Sequence, residues 1–415
     1  MVKGVQRSEI NLDTGIRKNL PQYSLLMLLT VFTGWFLGVE RILIPVLADD
    51  VFHITSYLYL LSFLVTFGFT KAILNLYAGK WADSYGRKKI LIAGWIMGIP
   101  VPVIFYYANS WNMIIVANIA VGFNQALTWT MTVTSGIDLS STDQRGFTVG
   151  GNEASGYMGQ ASAGIITGYL VASYGIRGSS ALFSMGTIII ALFFAVFFLR
   201  ETHGAAKNES SKMSQPLKKS DFGEIFMDTS WRNRKLFSFS QGGLIEKFAD
   251  TFFWGVMPIF LLTKHYDLVE IAFIVAAYQL TWGILQIFTG ILSDRIGRLI
   301  PIVSGFWIVS IGFFLLSFAK GTFYLVLTSS LTGVGMALLY PVLIAAVNDN
   351  TNPAERGRRL GVYRLWRDSG YAFGAIFIGL FATFTGILHT MYFISGIMAL
   401  SGSLILLINV TSSHD

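Results

Sequence analysis

The chain has 415 residues, of which 53% are hydrophobic and only 13% are charged, and it contains no cysteine. Ordinary soluble domains carry about 25% charged residues, so this composition would expose too much apolar surface to water and excludes an ordinary soluble protein. The absence of cysteine excludes disulfide bonds, thiolate metal sites and cysteine nucleophiles. The net charge of +7 lies in loops between apolar runs, which favours a role in membrane orientation and predicts no nucleic acid partner.

A polar tail begins the chain, with Lys3, Arg7, Arg17 and Lys18 among its first residues. It has neither the short apolar core nor the small-residue cleavage site of a signal peptide, so we expect the first long apolar run to act as an uncleaved insertion signal. Twelve apolar runs are long enough to span a bilayer, because about 20 residues rising ~1.5 Å each cross the hydrocarbon core. The predicted spans are 23–47, 56–79, 88–108, 112–137, 146–173, 180–199, 236–263, 269–292, 300–319, 322–347, 359–386 and 389–410.

The twelve predicted spans divide into two groups of six, which a polar, lysine-rich stretch with the composition of a linker separates. The sequence therefore predicts an all-α membrane protein with two pseudo-symmetric six-helix bundles. In residue numbers, the prediction is a cytoplasmic tail at 1–22, an N-terminal bundle at 23–199, a cytoplasmic linker at 200–235, a C-terminal bundle at 236–410 and a cytoplasmic tail at 411–415.

Lys and Arg are distributed unequally between the two sides of the predicted bundles. One side holds both termini, the linker and the basic loops, whereas the other holds mainly Asp49, Asp50, Arg177, Lys264 and Lys320. Because positively charged loops stay in the cytoplasm, we predict a multi-pass protein of the cell membrane with both termini cytoplasmic. The basic loop residues are Arg87, Lys88, Lys89, Arg145, Arg295, Arg298, Arg356, Arg358 and Arg359.

Three short segments recur at a nearly constant offset of 211 to 214 residues, which indicates an internal duplication. They fall at the second, fourth and fifth span of each half. In transporters a repeated half is a structural device for alternating access. The matched segments are 79–87 with 290–298, 122–127 with 333–338, and 155–157 with 369–371.

The first repeated segment has the pattern G-x-x-x-D-x-x-G-R, which Gly79, Asp83, Gly86 and Arg87 form in the N-terminal half. This pattern, present in both halves of a chain with twelve spans, resembles the loop signature of the major facilitator superfamily. The Arg-Glu-Thr sequence at 200–202 is also similar to many members. The resemblance implies a secondary transporter that carries a small-molecule substrate through the lipid bilayer by alternating access, without a cofactor or a bound metal.

In the family, this loop cluster is understood to latch the outward-facing state. The glycines permit a tight turn and close helix approach, and Asp83 and Arg87 can pair with each other or with Asp138. The predicted gating residues are Gly79, Asp83, Gly86, Arg87, Asp138, Asp294, Gly297 and Arg298.

Two positions depart from the pattern of drug and proton antiporters, which usually carry an Arg early in the fourth span and a Gly-Pro pair in the fifth. Here Asn118 stands at the first position, and residues 156–159 read Gly-Tyr-Met-Gly without a proline. The sequence therefore disfavours a multidrug antiporter and leaves the substrate open.

Ionisable residues inside the spans are the main functional candidates, because a charge at mid-bilayer costs from about 2.5 to more than ~10 kcal/mol. The spans contain five acidic and five basic side chains of this kind, so the sign of the substrate stays open. Carboxyl groups suit proton coupling, since burial favours their neutral form, and we predict this role for Glu246, Asp250 and Glu153. Arginines suit a carboxylate or phosphate. The predicted substrate-binding residues are Arg41, Glu40, Arg364, Arg367, Asp368, Lys71 and Asn152.

Each charged candidate also has a purely structural alternative. Lys71 could neutralise Glu153 or Asp368, and Arg364 or Arg367 could pair with Asp368, which would lock helices together with little net stabilisation. Packing or lipid contact is the simpler explanation for the aromatic residues. Those considered for a cavity wall are Trp35, Trp129, Trp254, Tyr340, Tyr363 and Trp366.

The sequence thus predicts a transporter in which two bundles rock about a midplane site, driven by protons. The leading version is efflux or exchange of a small polar or amphipathic molecule, and the alternative is uptake of an organic anion by proton symport. A non-transporting receptor or scaffold with the same fold is the alternative from another class. An enzyme is not predicted, because the chain lacks a nucleophile with a base partner, a metal-ligand cluster and a Walker-type loop. We expect a monomer.

Overall fold

The computed structural model describes residues 15–141, 144–204, 221–351 and 355–411. Every regular element in these ranges is a helix, and twelve of the helices are long, which confirms the predicted fold class. The helices extend a few residues beyond most of the predicted spans. In chain order they are α1 (Leu20–Asp50), α2 (Tyr57–Tyr85), α3 (Arg87–Tyr107), α4 (Trp111–Leu139), α5 (145–174), α6 (176–197), α7 (234–263), α8 (Leu268–Ile296), α9 (Leu299–Leu316), α10 (Thr322–Asp349), α11 (Arg356–Thr385) and α12 (Ile387–Thr411).

The two predicted tails and the predicted linker lie partly outside the described residues. The described part of the linker contains a short helix, Phe222–Met227, and a π-helical turn, Asp228–Arg232. This turn is fastened to α11, because the Trp366 indole N–H donates to Ser230 Oγ over 2.8 Å. Arg359 of α11 also forms an ion pair with Asp228 at 3.3 Å.

Hydropathy separates three of the twelve helices from the others. Nine helices in the described ranges are both long and apolar enough to cross a membrane, and α5, α7 and α11 are not among these nine. These three helices carry seven of the ten charged side chains that are candidates within the spans, including Glu153, Asp250 and Arg367. Polar helices are tolerated at membrane depth when their polar face turns toward protein or an internal cavity. The most polar helices are therefore expected at the centre of the molecule.

Two of the breaks in the helical structure fall at residues that interrupt helical hydrogen bonding. In α7, the segments Arg234–Gly255 and Met257–Thr263 meet just before Pro258, because proline lacks an N–H and its ring clashes with the preceding turn. Between α5 and α6, Gly175 has a φ of 67°, a conformation that side chains larger than hydrogen disfavour. The chain turns there without a longer loop.

Glycines also shape the two copies of the repeated loop. Gly86 has a φ of 94° and Gly297 has a φ of 87°, so each copy turns in a conformation that favours glycine. Gly79 differs from the expectation of a close helix approach. A Cβ atom at Gly79 would meet no heavy atom within 4 Å, so close packing at this glycine is not a feature of this conformation.

The two bundles meet along two helix pairs, with α2 against α11 and α5 against α8. We call the side of the molecule that carries the loops at Gly86 and Gly297 the loop side, and the other the far side. The far side is tightly closed: a Cβ atom on Gly255 of α7 would lie 2.1 Å from the Leu61 side chain of α2. The Phe63 and Trp254 rings also lie 5.8 Å apart across this contact. The bundles therefore seal against each other on the far side.

Candidate functional site

An ion pair buried between the bundles is the central polar contact of the structure. Arg41 of α1 binds Asp250 of α7 through two hydrogen bonds, with Nη1 to Oδ1 at 2.7 Å and Nη2 to Oδ2 at 3.0 Å. The exposed fraction of each side chain is 1% or less. The Tyr371 hydroxyl of α11 donates to the same carboxylate, and the Arg41 guanidinium lies 4.7 Å from the centre of the Trp254 ring. Sequence analysis predicted both charged residues but assigned them to separate roles.

A second charged pair lies one turn away on α7. Lys247 Nζ lies 3.0 Å from Glu246 Oε1 and 4.0 Å from Asp250 Oδ2. All three side chains are fully buried. Aromatic rings surround the Lys247 ammonium group, with the ring centre of Trp282 at 4.7 Å and those of Tyr371 and Tyr340 at 5.3 Å and 5.4 Å. These rings stabilise a cation without adding a counter-charge.

A small polar cavity lies on the loop side of the Arg41 and Asp250 pair. Its lining residues Arg364 and Arg367 lie ~12 and ~16 Å from the loop-side end of α11, whereas Asp250 lies ~24 Å from that end of α7. The cavity has a volume of about 20 Å³, which is room for about one water molecule. Its lining consists of Leu37, Lys71, Asn75, Trp129, Thr130, Tyr157, Gln160, Tyr340, Arg364, Arg367 and Tyr371.

Two of the basic residues that line the cavity have no close acidic partner. Among the described residues, no Asp or Glu oxygen lies within 4.0 Å of the charged nitrogens of Lys71 or Arg364. Lys71 lies instead 5.7 Å from the Trp129 ring centre and 5.9 Å from that of Tyr371. The structural alternative that Lys71 neutralises Glu153 or Asp368 by direct pairing is therefore not found in this conformation.

Arg367 and Asp368 are joined to polar groups of other helices. Arg367 Nη1 donates to the Tyr340 hydroxyl over 3.0 Å, and its guanidinium lies 4.2 Å from the Tyr340 ring centre. Arg367 Nη2 also approaches Asp368 Oδ1 at 3.5 Å. The other Asp368 oxygen accepts a hydrogen bond from Asn75 of α2, which in turn accepts from Thr130 at 3.0 Å. This chain of contacts joins α11 to the N-terminal bundle.

Three other predicted residues lie outside the cavity lining. Glu153 of α5 accepts a 2.8 Å hydrogen bond from the Trp129 indole at Oε1, whereas its Oε2 is buried without a partner. Asn152 accepts from the Thr30 hydroxyl over 2.8 Å. Glu40 of α1 is 1% exposed, and neither of its carboxyl oxygens has a hydrogen-bond partner in the described structure. Glu40 and Arg41 are adjacent in sequence, but only Arg41 joins the pair with α7.

The loop cluster of the N-terminal bundle forms as the sequence suggested. Arg87 binds Asp83 at 2.7 Å and Asp138 at 3.1 Å, and the exposed fractions of the Arg87 and Asp138 side chains are both 7%. Glu201, from the Arg-Glu-Thr sequence after α6, accepts from the Arg87 backbone N–H over 2.8 Å. The Thr202 hydroxyl donates to Asp138 over 3.0 Å. All of these contacts stay within the N-terminal bundle, and the gating role of the cluster remains a prediction.

The equivalent cluster of the C-terminal bundle is more exposed. Arg298 binds Asp294 at 2.5 Å and Asp349 at 2.8 Å. The exposed fractions of the two carboxylate side chains are 64% and 52%, and that of Arg298 is 25%. Its ion pairs raise the pKa of the Arg298 guanidinium further above its ordinary value, against the opposing effect of burial. The guanidinium therefore stays charged at any physiological pH.

Sequence analysis missed several uncharged residues of the site. Asn75, Gln160, Tyr157 and Tyr371 line the cavity, and Gln279 of α8 donates to Gln160 of α5 across the bundle interface over 3.3 Å. The repeat contained a usable signal, because Tyr157 and Tyr371 end the matched segments 155–157 and 369–371. The amides had no such signal, since polar uncharged residues are common in membrane helices.

Comparisons with known proteins agree with this architecture. The chain is 26% identical over 209 residues to "Multidrug resistance protein 2" of Bacillus subtilis, a match that covers 48% of each protein. It is 35% identical over 98 residues to "Multidrug resistance protein MdtH" of Yersinia pestis, covering 24% of each. These matches span at most about half the length of the curated relatives.

Solved structures show the fold over nearly the whole chain. A POT family transporter in complex with a thioalcohol-conjugated peptide has a TM-score of 0.76 at 10% identity, covering 94% of this chain and 96% of that chain. The nucleoside transporter NupG has a TM-score of 0.70 at 13% identity, covering 93% and 98%. A family model described as Major Facilitator Superfamily matches residues 24–245 and 239–414, which together cover nearly the whole chain. The chain is a multi-pass membrane protein and belongs to the Major Facilitator Superfamily.

Proposed function

We propose that the protein is a secondary active transporter that moves a small molecule by alternating access and couples this movement to protons. The buried ion pair between Arg41 and Asp250 carries the proposal. It joins α1 of one bundle to α7 of the other, next to the far-side contacts that close the molecule. A contact in this place stabilises one arrangement of the bundles over the other, and its loss shifts the equilibrium between them.

Protonation of Asp250 is the step that would link the proton to this equilibrium. An ionised Asp250 accepts two hydrogen bonds from Arg41 and one from Tyr371, and Lys247 lies 4.0 Å away. Adding a proton removes the charge that holds Arg41, and a charge-assisted pair loses much of its strength when one partner becomes neutral. The two bundles are then free to separate on the far side, where the proton is exchanged.

The other two predicted coupling residues are less well placed to move the bundles. The partner of Glu246, Lys247, is its neighbour on α7. The partner of Glu153, Trp129, belongs to the same bundle. Protonation of either carboxylate would change contacts inside one bundle only. We therefore rank Asp250 first for coupling, with Glu246 and Glu153 as residues that tune the charge around it.

Orientation and direction of transport are part of the same proposal. The basic loops favour a cytoplasmic loop side with both termini, so the closed far side would face the exterior and this conformation would be inward-facing. The names of the multidrug resistance relatives favour efflux or exchange, whereas the basic lining of the cavity favours an organic anion as substrate, in either direction. The buried charges that join the bundles disfavour a receptor or scaffold, because a protein that does not transport would be expected to lose them.

Transport by purified protein in proteoliposomes tests the proposal. A substrate is first identified by a thermal-shift screen against metabolites and drugs at two pH values. We expect Asp250→Asn to abolish accumulation driven by a pH gradient while it spares exchange without a gradient, because the neutral amide mimics the protonated carboxyl but releases no proton. Lys264→Gln, which removes an exposed far-side charge, is the matched control and should keep both activities.

The outcome also ranks the three carboxylates. Under this proposal Glu246→Gln and Glu153→Gln reduce the rate without abolishing accumulation. Full pH-driven accumulation by Asp250→Asn would show that this residue does not carry the coupling proton. If Glu246→Gln then abolished accumulation instead, coupling would lie within α7 and not at the contact between the bundles.

A further inference from the structure

The cavity of the candidate site is strongly asymmetric in charge. Three basic side chains, Lys71, Arg364 and Arg367, line it, and no Asp or Glu is among its lining residues. This differs from the sequence as a whole, in which the acidic and basic side chains within the spans balance. The asymmetry arises because the acidic side chains are bound to partners beside the cavity.

Each acidic side chain near the cavity is held by a different group. Asp250 is bound by Arg41, and Glu246 lies against Lys247. Asp368 accepts from Asn75, and Glu153 accepts from the Trp129 indole. These carboxylates are thus held by other groups and are not part of the described lining, whereas no acidic oxygen of the described residues lies within 4.0 Å of the charged nitrogens of Lys71 or Arg364.

The third basic residue also has unused hydrogen-bonding capacity. Arg367 is 5% exposed, and its Nε–H is buried without a hydrogen-bond partner in the described structure. A buried donor of this kind is costly unless a ligand or water satisfies it. A guanidinium presents paired N–H groups that match the two oxygens of a carboxylate. The charges and the free donor therefore both favour an anionic ligand.

Aromatic rings form much of the remaining wall. Trp129, Tyr157, Tyr340 and Tyr371 line the cavity together with the three basic residues. The Tyr157 ring packs against Trp282 of the other bundle with ring centres 3.9 Å apart, so this wall is continuous with the bundle interface. Flat aromatic faces favour a flat apolar ligand over an extended hydrated one. The small volume of about 20 Å³ implies that the cavity widens to admit such a ligand.

We infer that the cavity is a binding site for a small aromatic carboxylate, whose carboxylate group meets Lys71, Arg364 and Arg367 and whose ring lies against Trp129 and Tyr340. The inference rests on the proposed transport function, since it names the substrate class of the same site. It assigns a negative charge to the substrate, whose sign the balanced charge of the sequence leaves open.

Binding of three ligands of nearly equal shape tests the inference. Benzoate, benzamide and benzamidine share a ring and differ in charge, and acetate supplies a carboxylate without the ring. Titration calorimetry on the purified full chain in detergent should rank benzoate above benzamide and benzamide above benzamidine. Benzoate should also bind at least about tenfold more tightly than acetate, since a buried ring contributes more than 1.4 kcal/mol.

Variants of the two unpaired cations locate the site. Lys71→Gln and Arg364→Gln should each weaken benzoate binding by about tenfold to a hundredfold, as expected for the loss of a hydrogen bond to a charged group, and should leave benzamide binding unchanged. Arg364→Glu should invert the preference toward benzamidine. Lys264→Gln, which removes an exposed cation remote from the cavity, should change none of these affinities.

Several results would overturn the inference. These are equal or tighter binding of benzamidine, absence of saturable benzoate binding, acetate binding as tight as benzoate, or benzoate affinity that survives both Lys71→Gln and Arg364→Gln. Because binding is measured at equilibrium without a membrane, a failure here leaves proton coupling intact. Conversely, normal benzoate binding by a protein that transports nothing would contradict the proposed function and not this site.

Discussion

At equivalent positions, each bundle has an aromatic residue hydrogen-bonded to an ionisable residue. The ionisable residue is acidic in the N-terminal bundle and basic in the C-terminal bundle. In the N-terminal bundle, Trp129 of α4 donates to Glu153 of α5. In the C-terminal bundle, Tyr340 of α10 accepts from Arg367 of α11. Trp129 and Tyr340 are 211 residues apart, and Glu153 and Arg367 are 214 residues apart, which are the offsets of the internal repeat.

The two pairs occupy equivalent positions of the internal repeat, but the ionisable residue is acidic in one bundle and basic in the other. An aromatic residue on the fourth helix of each bundle holds an ionisable residue on the fifth. Only the basic member, Arg367, lines the cavity, whereas the acidic Glu153 does not. A symmetric framework thus supports a site with an asymmetric charge.

The two loop clusters, by contrast, carry the same charges in both bundles and differ in how deeply the charged side chains are buried. Arg87 and Asp138 are each 7% exposed, whereas Arg298 and Asp349 are 25% and 52% exposed. Removing one partner of a buried pair leaves an uncompensated charge, whereas exposed pairs contribute little to stability. Loss of the arginine should therefore destabilise the N-terminal bundle more than the C-terminal one.

Arg87→Gln is expected to have the largest effect on stability. It should lower the free energy of unfolding by about 3 kcal/mol, because Asp138 would stay buried with only Thr202 as a partner. Arg298→Gln, the matched variant in the other bundle, should cost less than about 1 kcal/mol. Thermal unfolding in detergent compares the two, and equal losses would show that burial does not distinguish the clusters.

The glycines of the repeated Ser-Gly-Tyr segments give a smaller predicted difference. A Cβ at Gly370 would lie 2.2 Å from the Leu244 backbone oxygen, whereas a Cβ at Gly156 would lie 2.3 Å from the edge of the Trp129 ring. Because a ring moves more easily than a helix backbone, Gly370→Ala should destabilise the protein by about 1 to 3 kcal/mol and Gly156→Ala by less.

Gly396→Ala is the control for both glycine variants, since a Cβ at this position in α12 would meet nothing within 4 Å. It should leave the melting temperature unchanged or raise it slightly, because alanine favours the helix. A larger loss for Gly156→Ala than for Gly370→Ala would mean that the N-terminal bundle is the more tightly packed of the two at this contact.

Much of the fold was predictable because membrane helices are encoded locally. About 20 consecutive apolar residues suffice to define a span, and the glycine of each loop motif marks a turn that the structure contains at Gly86 and Gly297. The pairing of charges was not predictable to the same extent. Arg41 and Asp250 are 209 residues apart, and which face of each helix meets the other depends on how the bundles dock.

From the sequence, the site was predictable only as a set of ionisable side chains that are costly to bury in a membrane. The cost of placing a charge inside the membrane identified Lys71, Arg364 and Arg367 as candidates. That these three residues line one cavity, with the acidic side chains outside its lining, depends on how the helices pack. Asn75 and the Trp129 indole, which line the cavity, bind two of the carboxylates beside it, and neither a single amide nor a single indole has a distinctive sequence pattern. The sign of the charge that lines the cavity is therefore a property of the packed structure.

We propose that the Arg41 and Asp250 pair holds the bundles closed on the far side. Distances between pairs of spin labels test it directly, and the absence of native cysteine allows labelling of introduced cysteines without background. Suitable exposed positions are Tyr107 with Phe323 on the far side and Tyr85 with Ile300 on the loop side. We predict that Asp250→Asn adds a longer distance on the far side and a shorter one on the loop side, whereas Lys264→Gln, which removes an exposed far-side charge, changes neither. Unchanged distances, or lengthening on both sides together, would contradict the account.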